Sequence, residues 1–181
     1  MKKEITNLAM ANLEAYKGKR ETLRGYVLTK DKSGTLLITD TTIGKLIKIK
    51  VILPYDEASI IWDSLNVGTK ILVEGTMDLE YKRKKLITSI IANKITIKGS
   101  LSEDEKLDIL EKYISINHSF VSLKYLFEEM SARGIEPPEC NRLLNRLKQH
   151  GKIEYLERRR RIIICSKDIF ESLNTKNINF K

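Results

Sequence analysis

Residues 20–99 decide the fold of this chain, and they read RETLRGYVLTKDKSGTLLITDTTIGKLIKIKVILPYDEASIIWDSLNVGTKILVEGTMDLEYKRKKLITSIIANKITIKG. Five runs in this stretch are rich in β-branched residues. Clusters such as Lys-Ser-Gly, Pro-Tyr-Asp and Asn-Val-Gly separate the runs, which predicts strands and the turns between them. The predicted strands cover residues 22–29, 34–40, 45–53, 69–81 and 84–98. A helix-like run, DEASIIWDSL at residues 56–65, lies between the third and fourth strands.

A helix between the third and fourth of five strands is typical of the oligonucleotide/oligosaccharide-binding (OB) fold, a small and partly open β-barrel. We therefore expect residues 19–99 to form an OB-fold domain. Residues 1–18 carry apolar side chains at helical spacing, which predicts an N-terminal helix packed on the barrel, with an unstructured arm as the alternative. Trp62, on the helix-like run, is predicted to close the bottom of the barrel and not to stack on a base.

The charge of the chain favours a polyanionic partner. Lys and Arg number 33 against 24 Asp and Glu, and the net charge is +9, which favours nucleic acid first and an acidic membrane surface second. No apolar run approaches the roughly 18 residues of a membrane helix. We therefore expect a soluble intracellular protein without a membrane partner, located in the cytoplasm or nucleoid, or in the nucleus of a eukaryote.

The sequence offers little material for catalysis. Cys140 and Cys165 are the only cysteines, too few for a disulfide framework, which indicates a reducing compartment. Neither they nor His118 and His150 have the spacing of a zinc site. Motifs for phosphate-binding loops, zinc proteases and nucleophile elbows do not occur, and the carboxylates form no spaced cluster for metal-assisted hydrolysis. We expect no enzymatic activity, no cofactor, no metal and no small-molecule substrate.

The third predicted strand has one apolar and one basic face. Ile47, Ile49 and Val51 alternate with Lys48 and Lys50, so the isoleucines and valine are expected to fill the barrel. Lys48 and Lys50 then lie on the outer surface, which carries the nucleic-acid platform in this fold. The alternative is that these lysines serve only solubility.

Aromatic rings on which bases stack usually accompany a basic groove in single-strand-binding barrels. The third strand has none, so the candidates are Tyr26, on the outward-facing set of the first strand, and Tyr81. Tyr81 precedes four consecutive cations in the loop between the last two strands: Lys82, Arg83, Lys84 and Lys85. We predict that this loop clamps a nucleic-acid strand, with a solvated hairpin tip as the alternative.

The pattern changes from strands to helices after Gly99. Ser102 and Glu105 form a Ser-x-x-Glu capping box at the start of a helix that extends to about residue 116. A second helix is predicted over residues 119–133, and a third begins at Pro137-Pro138 and ends before Gly151. Two strands, KIEYLE and RRIIICS, then flank an arginine-rich turn. This layout predicts a winged-helix domain over residues 102–173, with a final helix at 167–173 and a flexible tail at 174–181, and the whole chain is of the α+β class.

Polar side chains on the predicted third helix suit base edges and phosphates, and we assign Arg142, Asn145 and Arg146 to nucleic-acid binding. The predicted wing tip carries Arg158, Arg159, Arg160 and Arg161. We expect this quartet to contact a polyanion. The alternative is that some of these arginines form ion pairs with Glu154 or Glu157.

A single barrel with GTKILVEG at residues 68–75, joined to RGIEPPECNRLLNRLKQHGKIEYLERRRRIIIC at residues 133–165, resembles the middle subunit of replication protein A and the related telomere-capping subunit with the same domain order. The resemblance implies single-stranded DNA binding, or an assembly role in DNA replication, repair or recombination, within a hetero-oligomer. It also implies that the barrel binds the strand and that the winged helix recruits partner proteins. The arginine quartet is more than protein recruitment requires, which predicts that the wing also holds DNA.

The sequence therefore favours a non-catalytic single-stranded-DNA-binding protein with one or more protein partner subunits. Two other hypotheses stay open. The chain could be a scaffold subunit whose barrel and winged helix mediate protein assembly, or a duplex-DNA-binding regulator that reads the major groove through its third helix.

Overall fold

The computed structural model describes residues 8, 16–31, 33–41, 46–54, 61–82, 85–116, 121–158 and 161–178. The chain divides into two compact units, Met1–Leu101 (unit 1) and Ser102–Lys181 (unit 2). Within the described residues, no helix is both long enough and apolar enough to cross a membrane.

In the described part of unit 1, five strands close into a barrel in the order β1-β2-β3-β5-β4. The strands are β1 Arg20–Asp31, β2 Thr35–Thr39, β3 Ile49–Ile52, β4 Thr69–Lys82 and β5 Lys85–Ser100. All neighbours are antiparallel except β3 and β5, which are parallel. This closed five-stranded barrel is consistent with the predicted OB fold.

The predicted helix between the third and fourth strands is only partly visible. Residues 55–60 lie outside the described part of the chain, and the remainder includes a short 3₁₀ helix, Trp62–Ser64. Trp62 packs against the barrel core, as predicted, and does not stand apart as a stacking platform. Lys30, near the end of β1, contacts Trp62 in two ways. The Lys30 Nζ donates to the Trp62 carbonyl at 2.9 Å and lies 5.5 Å from the centroid of the Trp62 ring.

Strand alternation fills the barrel interior with aliphatic side chains. The described members of this core are fully or almost fully buried, including Leu23, Val27, Leu36, Ile38, Ile49, Val51, Ile71, Val73, Met77 and Ile90. Leu8, from the predicted N-terminal arm, belongs to the same core, and its backbone N–H donates to the buried Asp40 at 2.6 Å. This hydrogen bond joins the N-terminal segment to the end of β2. The rest of residues 1–15 lies outside the described part.

Strands β4 and β5 are long, and together they form a hairpin. Pairing between β4 and the segment that leads into β1 reaches Met77. The β4–β5 ladder continues past that point to Lys82 and Lys85. The tip of the hairpin therefore projects beyond the neighbouring strand.

The described residues of unit 2 form four helices and a three-stranded sheet. The helices are α1 Glu103–Ile116, α2 Leu123–Ser131, α3 Pro137–Gln149 and α4 Lys167–Ile178, and the strands are β6 Val121–Ser122, β7 Ile153–Arg158 and β8 Arg161–Ser166. The sheet order is β6-β8-β7, with antiparallel pairs throughout. The predicted capping box is present, because the Ser102 N–H donates to Glu105 at 2.8 Å and the Glu105 N–H donates to the Ser102 hydroxyl at 3.2 Å.

Two predicted boundaries in unit 2 are wrong. The second helix begins at Leu123 and not at residue 119, because Val121 and Ser122 pair with β8 and Ser122 then caps α2. The final helix, predicted over residues 167–173, instead continues to Ile178, into the predicted tail. Residues 117–120 and 179–181 lie outside the described part.

Candidate nucleic-acid interface

The two lysines of the third strand lie on the barrel surface. Lys48 and Lys50 are exposed, while Ile49 and Val51 are fully buried. The local cause is the two-residue repeat of a strand whose apolar side chains are drawn into the core. The predicted orientation of Lys48 and Lys50 is therefore confirmed.

The parallel pairing of β3 with β5 decides where these lysines lie on the barrel. Lys50 pairs with Ser89 of β5. Because the two strands are parallel, Lys48, two residues earlier in the chain, lies nearer to the hairpin tip of β5. At the tip Lys82 is exposed and pairs with Lys85. Arg83 and Lys84 lie outside the described residues, as does the Lys85 side chain. Lys48, Lys50 and Lys82 thus share one end of β5. Together with Arg83, Lys84 and Lys85, which follow Lys82 in the sequence, we name them the basic corner.

Tyr81 lies beside the basic corner, with 66% of its surface exposed. It follows Met77 and Leu79 in the alternation of β4, and both of these are buried in the core. Tyr81 therefore lies on the hairpin face that continues the barrel interior, opposite to the face of Lys82. An exposed ring at this position is available for stacking on a base.

Tyr26 does not offer a second ring. It lies on the face of β1 opposite to the core, as alternation predicts, but it is only 1% exposed. Leu28 and Leu101 are buried with it, and Leu37 packs against the same cluster. The prediction that Tyr26 presents a stacking surface is wrong, because apolar side chains from other parts of the chain cover this section of β1.

Acidic residues bound the basic corner on two sides. Asp78 and Glu80 are exposed on the outer face of β4, across β5 from Lys50. At the β1–β2 turn, hydrogen bonds from Ser33 and Thr35, together with the charge of Lys50, hold the pKa of Asp31 below its usual value. Asp31 is therefore ionised at neutral pH. Carboxylates thus lie close to Lys50 on the barrel and to Lys82 on the hairpin.

In unit 2, Arg142 and Arg146 are already engaged in ion pairs. Their Nη1 atoms lie 2.7 and 2.8 Å from the two carboxylate oxygens of Glu103, in the first turn of α1. These contacts raise the pKa of Arg142 and lower that of Glu103. Asn145 is exposed on the same helix. The structure brings the three residues to one side of α3, where Glu103 occupies the Nη1 atoms of both arginines and a phosphate would compete with it.

Sequence reasoning assigned the two arginines to nucleic acid and missed Glu103. A signal existed: three acidic residues, Glu103, Asp104 and Glu105, open α1, and acidic residues at a helix start both favour the helix dipole and attract arginines. What the sequence does not specify is that α1 and α3 pack closely enough for this pairing.

The wing is described only in part. Arg158 is the last residue of β7 and Arg161 is the first of β8, and the two pair across the hairpin. Their side chains lie outside the described residues, as do Arg159 and Arg160 altogether. Polyanion contact by this quartet, and the alternative of ion pairs with Glu154 or Glu157, both stay predictions.

No group of three or more His, Cys, Asp or Glu side chains is placed to hold a metal ion within the residues that the structure describes. Both cysteines are buried, and burial raises the pKa of the Cys140 thiol to about 12 and also raises that of Cys165. Neither thiol is a nucleophile at neutral pH.

A scan against protein-family models and a search of curated proteins both give no match. Among solved structures, the chain is similar to the OBody AM3L09 bound to hen egg-white lysozyme, at 15% identity and a TM-score of 0.43, over 55% of this chain and 97% of that one. It is also similar to the mitochondrial single-stranded DNA binding protein Rim1 of S. cerevisiae, at 9% identity and a TM-score of 0.37, over 45% and 94% of the two chains. A small single-stranded DNA-binding protein from Streptomyces coelicolor gives 19% identity and a TM-score of 0.35, over 45% and 95%. These likenesses assign no function to this chain.

Proposed function

We propose that this chain is a non-catalytic nucleic-acid-binding protein that holds a single strand at the basic corner of its barrel. The observation that carries the proposal is the parallel pairing of β3 with β5. With this pairing the exposed Lys48 and Lys50 lie at the same end of the barrel as Lys82, which leads into the cationic run 83–85 of the sequence. Exposed lysines neutralise phosphates without specifying a base sequence.

The preference for a single strand rests on Tyr81. Its ring is largely exposed on the hairpin face opposite to Lys82, so a strand that contacts both passes around the hairpin tip. The ring can stack only on a base whose face is free. In a duplex both faces of each base are covered by neighbouring pairs. A single strand also bends around a small barrel at little cost, whereas a duplex resists bending over such a distance.

The finer proposal concerns unit 2 and the assembly. We propose that unit 2 is a winged helix, since three helices precede the β7–β8 hairpin and β8 also pairs with β6. Its arginine turn at residues 158–161 then contacts DNA, or a protein partner in an intracellular replication, repair or recombination assembly like that of replication protein A. Because Arg142 and Arg146 are held by Glu103, we assign the main contact to the wing and not to α3.

A second candidate function is protein assembly. It is favoured by the exposed side chains of Ile87 and Ile91 on the outer face of β5, an apolar surface that phosphates do not require.

Fluorescence anisotropy with a labelled oligo-dT tests the proposal. Six cations form the basic corner, so the log of the affinity should fall with the log of the salt concentration at a slope of about −4. Lys48→Gln with Lys50→Gln should weaken binding and reduce the slope by about 1.4. The matched control is Lys94→Gln with Lys98→Gln, which removes two exposed lysines nearer the other end of β5.

The comparison of the two double variants decides the result. A loss confined to the Lys48 and Lys50 variant supports the basic corner. An equal loss in both variants, or an affinity that does not respond to salt, contradicts it. A duplex and a fork, titrated in the same way, show whether the single strand is preferred.

A further inference from the structure

The outer face of β5 carries an apolar ridge on an otherwise charged surface. Ile87 and Ile91 are 37% and 49% exposed, and Ile91 is the neighbour of the half-buried Ile52 on β3. Ser89 lies between the two isoleucines on the same face. A single exposed isoleucine is ordinary, but Ile87 and Ile91 share one face of β5 with Ile52 beside them, and association with an apolar partner would bury this surface favourably.

Charges of opposite sign flank this ridge on its two sides. On the β3 side lie the exposed Lys48 and Lys50, and on the β4 side lie the exposed Asp78 and Glu80. The strand registers place Lys50, Ser89 and Asp78 in a single row across the sheet. Glu80 lies opposite Ile87 in the next row toward the hairpin tip.

This segregation selects one symmetric pairing of two copies. Consider two copies whose outer faces meet across a two-fold axis parallel to β5. The basic side of one copy then faces the acidic side of the other, and each residue keeps its position along the strand direction. Lys50 of one copy then faces Asp78 of the second copy, and the two isoleucine ridges meet at the centre. A two-fold axis across the strands would instead set lysines against lysines, which like-charge repulsion disfavours. The surface is thus complementary to itself in one orientation.

We propose that this chain forms a symmetric dimer through the outer face of β3, β5 and β4, with a second copy of the chain as the occupant. The face is about 15 Å across three strands and about 17 Å along them. Such a face is much smaller than the roughly 800 Å² per partner of a standard stable interface, so we expect the dimer to be weak and to dissociate readily. Its steering charges make the association sensitive to salt.

Sedimentation velocity on nucleic-acid-free protein, at up to about 200 µM, tests the proposal. One variant carries Lys48→Glu and Lys50→Glu, and the other carries Asp78→Lys and Glu80→Lys. In the first variant both sides of the ridge are acidic, and in the second both are basic. In a homodimer of either variant like charges therefore face each other, and each variant alone should be monomeric. An equimolar mixture restores opposite charges at both flanks and should form a heterodimer at least tenfold more tightly than either variant forms a homodimer.

Two further variants keep the result interpretable. Ile91→Asn removes the ridge without changing the charge and should also abolish the dimer, whereas Lys94→Glu with Lys98→Glu changes charge away from the face and should not. Thermal melting establishes that each variant is folded. Monomeric wild-type protein over the whole concentration range, or a mixture that associates no better than its components, overturns the proposal. None of these measurements involves DNA, so they stand apart from the proposed nucleic-acid function.

Discussion

Tyr81 is the residue at which base stacking can be separated from phosphate binding. Its ring is exposed at the hairpin, next to Lys82, and stacking on one base is worth about 1–3 kcal/mol. Tyr81→Ala should therefore weaken oligo-dT binding by about 5- to 150-fold without changing the salt slope. Anisotropy titrations at several salt concentrations measure both quantities.

The aromatic control for Tyr81 keeps the ring. Tyr81→Phe should bind within about twofold of wild type, since stacking needs the π-face and not the hydroxyl. Tyr125→Ala removes a tyrosine of unit 2 that is 48% exposed and should leave binding to the barrel unchanged. If Tyr81→Phe binds as weakly as Tyr81→Ala, the stacking role assigned to the ring is wrong.

Glu103 gives unit 2 a stability that depends on pH. The hydrogen bonds from Arg142 and Arg146 hold its pKa below the ordinary value of 4.5. A carboxyl with a lowered folded-state pKa contributes stability that is fully present above the ordinary value, and that is lost as the pH falls through the folded value. Glu103→Gln should therefore lower the Tm of unit 2 modestly at pH 7, by an amount that shrinks progressively below pH 4.5.

Differential scanning calorimetry on both proteins between pH 3 and pH 7 checks this expectation. Asp108→Asn serves as the control, since it breaks a solvent-exposed i,i+4 pair with Lys112, and such pairs contribute little. A difference in Tm between wild type and Glu103→Gln that stays constant with pH contradicts the assignment of the stability to this ionised carboxylate.

Among the elements, the β4–β5 ladder depends on one glycine. The register shifts between Glu74 and Gly75, and a Cβ at Gly75 would overlap the Ile91 carbonyl across the ladder. Gly75→Ala should destabilise the barrel by about 1–3 kcal/mol, because backbone must move to admit the methyl group. Thr76→Ala, on the half-exposed neighbouring position, should change stability much less. Denaturant unfolding followed by Trp62 fluorescence measures both, and equal effects of the two variants would contradict the close-approach argument.

The elements that local sequence determines were predictable. The five strands, the capping box at Ser102 and the start of α3 at Pro137 follow from alternation, hydrogen-bonding side chains and a fixed φ angle. The errors have a different origin, because each depends on a partner distant in sequence. Leu101 helps to bury Tyr26, Glu103 engages Arg142, and β8 draws Val121 into a sheet. No periodicity within a single element records such contacts.

The candidate site was likewise predictable only in part. The exposure of Lys48 and Lys50 follows from the apolar alternation of β3 alone. Their position at the hairpin end of the barrel follows from the parallel β3–β5 pairing, which the strand sequences do not encode locally. The acidic flank at Asp78 and Glu80 was present in the sequence, but its relation to the lysines appears only once β5 is placed between them.

At the scale of the whole molecule, the division into two units makes a prediction about cooperativity. Trp62 is the only tryptophan, so its fluorescence reports on unit 1, whereas helical circular dichroism reports mostly on unit 2. Leu144 is fully buried in α3, and Leu144→Ala should cost about 2–5 kcal/mol. The circular dichroism transition should therefore move to lower temperature while the Trp62 transition stays in place. Ile38→Ala, within the barrel core, should do the reverse, and a joint shift of both transitions would contradict independent folding.

The two proposed surfaces share Lys48 and Lys50, so nucleic acid and a second copy of the chain should exclude each other. Because coupling between binding events is reciprocal, an oligonucleotide that occupies these lysines must weaken the dimer by the same factor by which the dimer weakens oligonucleotide binding. Adding an equimolar oligo-dT to about 100 µM protein should shift sedimentation from dimer to monomer–DNA complex. An uncharged methylphosphonate oligomer of the same sequence should not, since it offers no phosphate charge. Dimers that persist with bound oligo-dT would show that the lysines do not serve both partners, and a failure of oligo-dT to bind at all would refute the nucleic-acid proposal while leaving the dimer untouched.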